Sequence, residues 1–210
     1  ADAENSNFEH SIENALLIFI KSIDKNYPAP LNRAFLKFWE IIILFDLIPN
    51  ESTFTSSHLA EGPGSFIQAT ILYREYLKKS KKISSTKNDN YYGVTLFSNH
   101  EYLQMQKNFI DYIEKIKPKQ LHIFDNSNVQ KIEDMYGGGS EDSNEIDYDR
   151  LASHPSNGDI TKLNTILQFS GSQNKLSDHV TADGGFDRVN ENLQEQEAYE
   201  LILGQVVTAL

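Results

Sequence analysis

Apolar residues first recur at helical spacing between Phe8 and Ile23, where Ile12, Ala15, Leu16, Phe19 and Ile23 share a face until Tyr27-Pro28-Ala29-Pro30 breaks the pattern. A second amphipathic helix follows. Asn32 stands at its cap, Ala34, Phe35, Phe38, Ile41, Ile42 and Phe45 are placed to pack inward, and Pro49-Asn50 closes it. A short strand ending at Leu59-Ala60 then meets the turn Glu61-Gly62-Pro63-Gly64-Ser65-Phe66, which opens a helical run from Ile67 to Leu77. Tyr91 to Phe97 reads as a second strand, Gln104 to Lys117 as a helix, and Gln120 to Phe124 as a third strand between Pro118 and Asp125. From Gly137 to Asn157 the chain is polar, acidic and rich in Gly and Ser, the pattern of a surface insertion. Asp178 to Ala182 gives a fourth strand, and Asn190 to Leu210 a long helix with Leu193, Ala198, Leu201, Ile202 and Val206 along it. Strands alternating with helices imply a parallel sheet covered on both faces.

At 210 residues and 39% hydrophobic content, the chain can bury the core of one ordinary domain. The expected division is N-terminal helices over 1–50 and a core over 51–210, with the polar insertion near 133–157. Cysteine is absent, so neither a disulfide framework nor a thiolate metal site can form. The apolar run Ile41 to Ile48 is short and broken by Asp46, and Ala1 to Asn7 carries neither a basic region nor an apolar signal core. The expectation is a soluble, intracellular and cytoplasmic protein. A formal net charge of -11 argues against a general binder of polyanions. Base is concentrated only at Lys78, Lys79, Lys81, Lys82 and Lys87, a cluster that reads foremost as a solvated helix end.

Candidate chemistry lies at two loops. In Glu61-Gly62-Pro63-Gly64 the glycines would let the backbone approach a ligand closely, and a following helix offers unpaired N–H donors, which suits a nucleotide or nucleoside. Asp183-Gly184-Gly185 follows the fourth strand, and ligands of open α/β sheets sit beyond the carboxyl ends of strands, where both loops would fall. Each segment also has a plain structural reading: a simple turn for the glycines, a helix cap for Asp183, an ordinary surface lysine for Lys37, and turn initiation for Asp159 after Asn157-Gly158.

Four segments, taken in order, resemble the FtsJ-like RNA ribose 2′-O-methyltransferases, and most of all the viral and eukaryotic branch that methylates mRNA caps. Asn32-Arg33-Ala34-Phe35-Leu36-Lys37-Phe38-Trp39-Glu40 follows the family's Ser-Arg-Ala-x-x-Lys-x-x-Glu pattern with Asn for Ser. Glu61 to Phe66 resembles the loop that binds S-adenosylmethionine (SAM), with Ser65 where many members have a third glycine. Gly158-Asp159-Ile160-Thr161 is similar to the segment whose Asp contacts adenine, and Thr181-Ala182-Asp183-Gly184 to the strand end carrying a catalytic Asp.

The resemblance implies a Rossmann-like α/β methyltransferase fold, SAM as cofactor, no obligatory metal, and methyl transfer to a ribose 2′-hydroxyl of RNA, expected to be capped mRNA. It makes Lys37 and Asp183 catalytic, and Glu61, Gly62, Pro63, Gly64, Ser65, Phe66 and Asp159 cofactor-binding. The family's second catalytic lysine and its glutamate would stand on strands after Leu210. The chain alone is therefore expected to be inactive or weakly active, with an incomplete sheet that needs a protein partner or a further segment over its edge. The competing reading is a non-catalytic SAM-fold module that binds a protein or RNA within a larger assembly, which the acidic charge favours. A dehydrogenase-like nucleotide domain ranks below both, because no Gly-x-Gly-x-x-Gly turn is present.

Overall fold

The computed structural model describes residues 14–96, 106–124, 156–173, 175–185 and 194–210. The start of the first expected helix, Phe97, Gln104, the polar stretch over 137–155 and the first residues of the last expected helix lie outside them. Helix α1 spans 14–23. Then follow α2 (Arg33–Phe45), β1 (Thr55–Leu59), α3 (Ser65–Lys79), β2 (Asn90–Val94), α4 (Lys107–Ile116), β3 (Leu121–Phe124), α5 (Leu163–Gly171), β4 (His179–Ala182) and α6 (Gln194–Ala209).

The four strands form one parallel sheet in the order β3-β2-β1-β4. Because side chains alternate across each strand, the sheet has two apolar faces. Tyr91 and Leu121 face a core built with Ile20, Phe35, Ile42, Leu72 and Ile113, from α1 to α4. Leu59, Tyr92 and Val94 face a smaller core with Ile160 and Phe169, against which Leu201 of α6 packs. This is a Rossmann-like α/β arrangement, a parallel sheet with helices packed on both faces. Among the described residues no helix is long and apolar enough to cross a membrane.

Local signals explain most element bounds. The Asn32 side chain accepts from the Ala34 N–H at the start of α2, and Asp46 ends that helix in the left-handed region at φ 49°. The buried face of α2 is Phe35, Phe38, Trp39 and Ile42. Phe45, expected inside, is 69% exposed at the last helical residue, while Trp39 occupies the interior, with its ring against Phe19, Phe35 and Tyr73. Truncating a ring of that core to Ala costs about 3–5 kcal/mol.

Helix α5 was not foreseen from the apolar pattern. It is only nine residues long and has no side-chain N-cap, so no start signal sets it apart from the polar stretch before it. The strand β2 ends at Val94, short of Phe97, as Thr95 and Leu96 leave the sheet.

Candidate active site

From β1 the chain steps to β2 and β3 on one side, then returns to place β4 on the other side of β1. Such a reversal opens a crevice at the carboxyl ends of the two strands that flank it. The turn after β1 forms one wall. Its Glu61 N–H donates to the Val94 carbonyl at 3.0 Å, and its Gly64 N–H to the Glu61 carbonyl at 2.6 Å. Gly64 caps α3 at φ 112°, a conformation that favours glycine.

Sequence reasoning left the first N–H groups of α3 open for a ligand, but the structure gives two of them to Glu61. Oε1 of that side chain accepts from Phe66 N at 2.8 Å and Ile67 N at 2.9 Å. Burial pushes the Glu61 carboxyl up to about 8; the two N–H groups pull it down, and the Asp183 charge adds to the rise. Glu61 is therefore a protonated acid at neutral pH that shapes the turn from inside. With those donors taken, the helix start does not offer the phosphate site of a dinucleotide fold.

A second loop reaches the same place from the far side of the insertion. Gly158 has φ 78°, and a Cβ there would lie 1.9 Å from the Thr95 carbonyl oxygen, so only glycine fits. The two loops thus rest on consecutive residues, Val94 and Thr95. Asp159 Oδ1 accepts from Thr161 N at 3.0 Å and Thr161 Oγ1 at 2.7 Å, which leaves Oδ2 without a hydrogen bond among the described residues. From behind, α6 presses on this loop at Gly204, where a Cβ would meet the Ile160 carbonyl oxygen at 2.2 Å.

Lys37 and Asp183 close the crevice. Lys37 extends from α2 so that Nζ lies 2.6 Å from Asp183 Oδ1 and 5.9 Å from the centre of the Phe66 ring. Both side chains of the pair are about half exposed, at 55% and 41%, so the pair contributes little to stability. Its meaning is placement: the α2 lysine and the carboxylate that follows β4 are held together at the carboxyl edge of the sheet.

Behind them the central strand is unusually polar. Ser56, Ser57 and His58 of β1 are all buried. The His58 ring is bonded on both nitrogens, Nδ1 to Thr181 Oγ1 at 2.7 Å and Nε2 to Ser56 Oγ at 2.9 Å, so it links β1 to β4 close to Asp183. Its Nδ1 also lies 4.0 Å from Glu61 Oε2. That approach is not an ion pair: burial, with His179 nearby, holds the imidazole well below its ordinary value, and the carboxyl is protonated. His58 escaped sequence reasoning, although Ser-Ser-His inside a strand was a visible signal, and Thr181 entered only as part of the segment leading to Asp183.

Of the residues singled out in the sequence, the turn from Glu61 to Phe66, Asp159, Lys37 and Asp183 all lie at the carboxyl edge. Ser65 is buried, with its hydroxyl donating to Asn32 Oδ1 at 2.8 Å. Among the described residues no three His, Asp or Glu side chains gather as metal ligands. The residues fit S-adenosylmethionine, a nucleoside cofactor without phosphate: an acceptor at Asp159 Oδ2, and a helix start already occupied by a protein carboxyl. A family model described as FtsJ-like methyltransferase matches residues 30–210. A search of curated proteins and of solved structures found no match to the chain. Sheet order, crevice and family match agree, and the chain belongs to the FtsJ-like methyltransferases, whose methyl donor is S-adenosylmethionine.

Proposed function

We propose that this methyltransferase acts as one domain on RNA, methylating a ribose 2′-hydroxyl at the capped 5′ end of mRNA in the manner of the viral and eukaryotic branch of its family. The observation that carries this reading is the Lys37–Asp183 contact at 2.6 Å, made between residues 146 positions apart at the mouth of the crevice. When bound, S-adenosylmethionine supplies an electrophilic methyl group: the hydroxyl oxygen gains it, the carbon–sulfur bond breaks to leave S-adenosylhomocysteine, and the hydroxyl proton is released. Lys37, ion-paired with Asp183, orients the attacking oxygen and stabilises the negative charge that builds on it, while the proton passes to solvent. Asp183 fixes the amine so that its reach is set before the substrate arrives. Gly62, Pro63, Gly64 and Ser65 give the backbone surface for the cofactor, Glu61 braces it, and Asp159 Oδ2 receives a donor of the nucleoside.

A second reading, a non-catalytic module held in a larger assembly, is favoured by surfaces that call for a covering partner or a further segment. Strand β4 is at the edge of the sheet, and on α6 Ile202, Leu203, Val206 and Val207 are each 43–55% exposed at helical spacing.

Incubation with labelled S-adenosylmethionine and capped or uncapped RNA separates the two. Label on the capped RNA that makes the neighbouring phosphodiester resistant to alkali supports 2′-O-methylation at the cap. Equal label on both RNAs would remove cap specificity. Cofactor binding with no transfer to any RNA would favour the module.

A further inference from the structure

The proposed chemistry needs the amine of Lys37 and the cofactor turn in fixed register, and one side chain touches both elements. Asn32 has an extended backbone at φ -163°, and its Oδ1 accepts from Ala34 N at 2.8 Å, which starts the helix carrying Lys37. The same oxygen accepts from Ser65 Oγ at 2.8 Å. Ser65 is 2% exposed and stands directly after Gly64, as the first residue of α3. A carboxamide oxygen has two lone pairs, so one Asn can serve both donors at once. Beyond this bond the two elements meet again at Phe66, whose ring stacks on Phe38 at 4.4 Å and lies below the Lys37 amine.

Both positions are departures from the pattern the chain otherwise follows, Asn for Ser at 32 and Ser for Gly at 65. A serine at 32 could cap α2 but is too short to hold α3 as well, and a glycine at 65 would have no hydroxyl to offer. Only together do the two side chains make the hydrogen bond that joins α2 to α3. We infer that Asn32 and Ser65 are a matched pair of positioning residues that set Lys37 against the cofactor turn, an inference that rests on the proposed role of Lys37 in methyl transfer.

The test is a double-mutant cycle on the full chain, with kcat, affinity for S-adenosylhomocysteine and thermal midpoint measured for each variant. Asn32→Ser keeps the cap and loses the tether; Ser65→Ala removes the hydroxyl alone. Each is expected to lower kcat about tenfold, because misplacement of a catalytic group by a fraction of an ångström already slows reaction. The double variant should be no slower than either single one. Asn32→Asp, which can accept both hydrogen bonds, should restore kcat, and Asn32→Ser should bind S-adenosylhomocysteine within about twofold of the original. Additive losses in the double variant would overturn the pairing. So would a lowered thermal midpoint with kcat unchanged, which is the mark of a merely structural bond. If instead Lys37→Ala retains transfer, the proposed mechanism fails, and that outcome is distinct from failure of the pair.

Discussion

Two polar clusters among the described residues, one at each end of the sheet, are built on opposite rules. At the far end of α3, Arg74 is fully buried and each of its three nitrogens is bonded: Nε and one terminal nitrogen grip the two Asp89 oxygens at 2.9 Å, and the terminal nitrogens also donate to the Pro49 and Glu51 carbonyls. Beside it Lys117 Nζ lies 2.6 Å from Glu75 Oε1; against burial, which pushes that carboxyl up, the ammonium and the Thr86 hydroxyl hold it below its ordinary value. At the carboxyl edge of the sheet, Glu61 is buried with no counter-ion, His58 is kept neutral, and Lys37 and Asp183 face solvent. Closed charge pairs fix the scaffold. At the carboxyl edge Glu61 and His58 are displaced by burial with no counter-ion to hold a charge.

Breaking the first cluster should give the largest change in stability. Arg74→Met leaves the Asp89 charge buried without its partner, and unfolding in urea should show a loss of about 3–5 kcal/mol. A loss below 1 kcal/mol would mean that the scaffold does not depend on the pair. The largest change in activity belongs to the other cluster: Lys37→Ala should slow methyl transfer at least about a hundredfold, the scale of losing the group that orients the attacking oxygen, with the thermal midpoint nearly unmoved because the side chain is exposed. Parallel loss of both would place Lys37 in the scaffold instead.

A smaller effect sharpens the contrast through pH. The folded-state value of Glu61, about 8, lies above its unfolded value, so the folded protein holds the extra proton and stability falls as pH rises from about 4.5 towards 8. His58 acts in the opposite sense below pH about 6.5, where the unfolded imidazole binds a proton that the folded one resists. Glu61→Gln keeps an oxygen for the Phe66 and Ile67 N–H groups but cannot ionise. Its thermal midpoint should decline less between pH 6 and 9 than that of the parent; identical profiles would show that Glu61 is not the buried acid described.

Much of this was legible in the sequence, for definite reasons. The four strands, the helices α2, α3 and α4 and the parallel sheet follow from apolar period and the alternation of elements. The crevice follows from placing two glycine-bearing loops after strands. What escaped depends on contacts between residues remote in sequence. Nothing local says that Glu61 turns its carboxyl onto α3, that His58 finds Thr181 across the sheet, or that Asn32 and Ser65 meet. Helix α5 escaped because it is only nine residues long and no side-chain cap marks its start, and Phe45 was misplaced because periodicity does not tell where a helix runs past its core.

The central claim is that the two loops resting on Val94 and Thr95, with Lys37 and Asp183, form an S-adenosylmethionine crevice. Calorimetric titration of the chain with S-adenosylhomocysteine, beside Asp159→Ala, tests it most directly. The account predicts saturable one-to-one binding to the parent and a loss of affinity of about tenfold or more in the variant, as expected when a buried ligand donor loses its acceptor. No binding by the folded chain, or equal binding by both proteins, would contradict it.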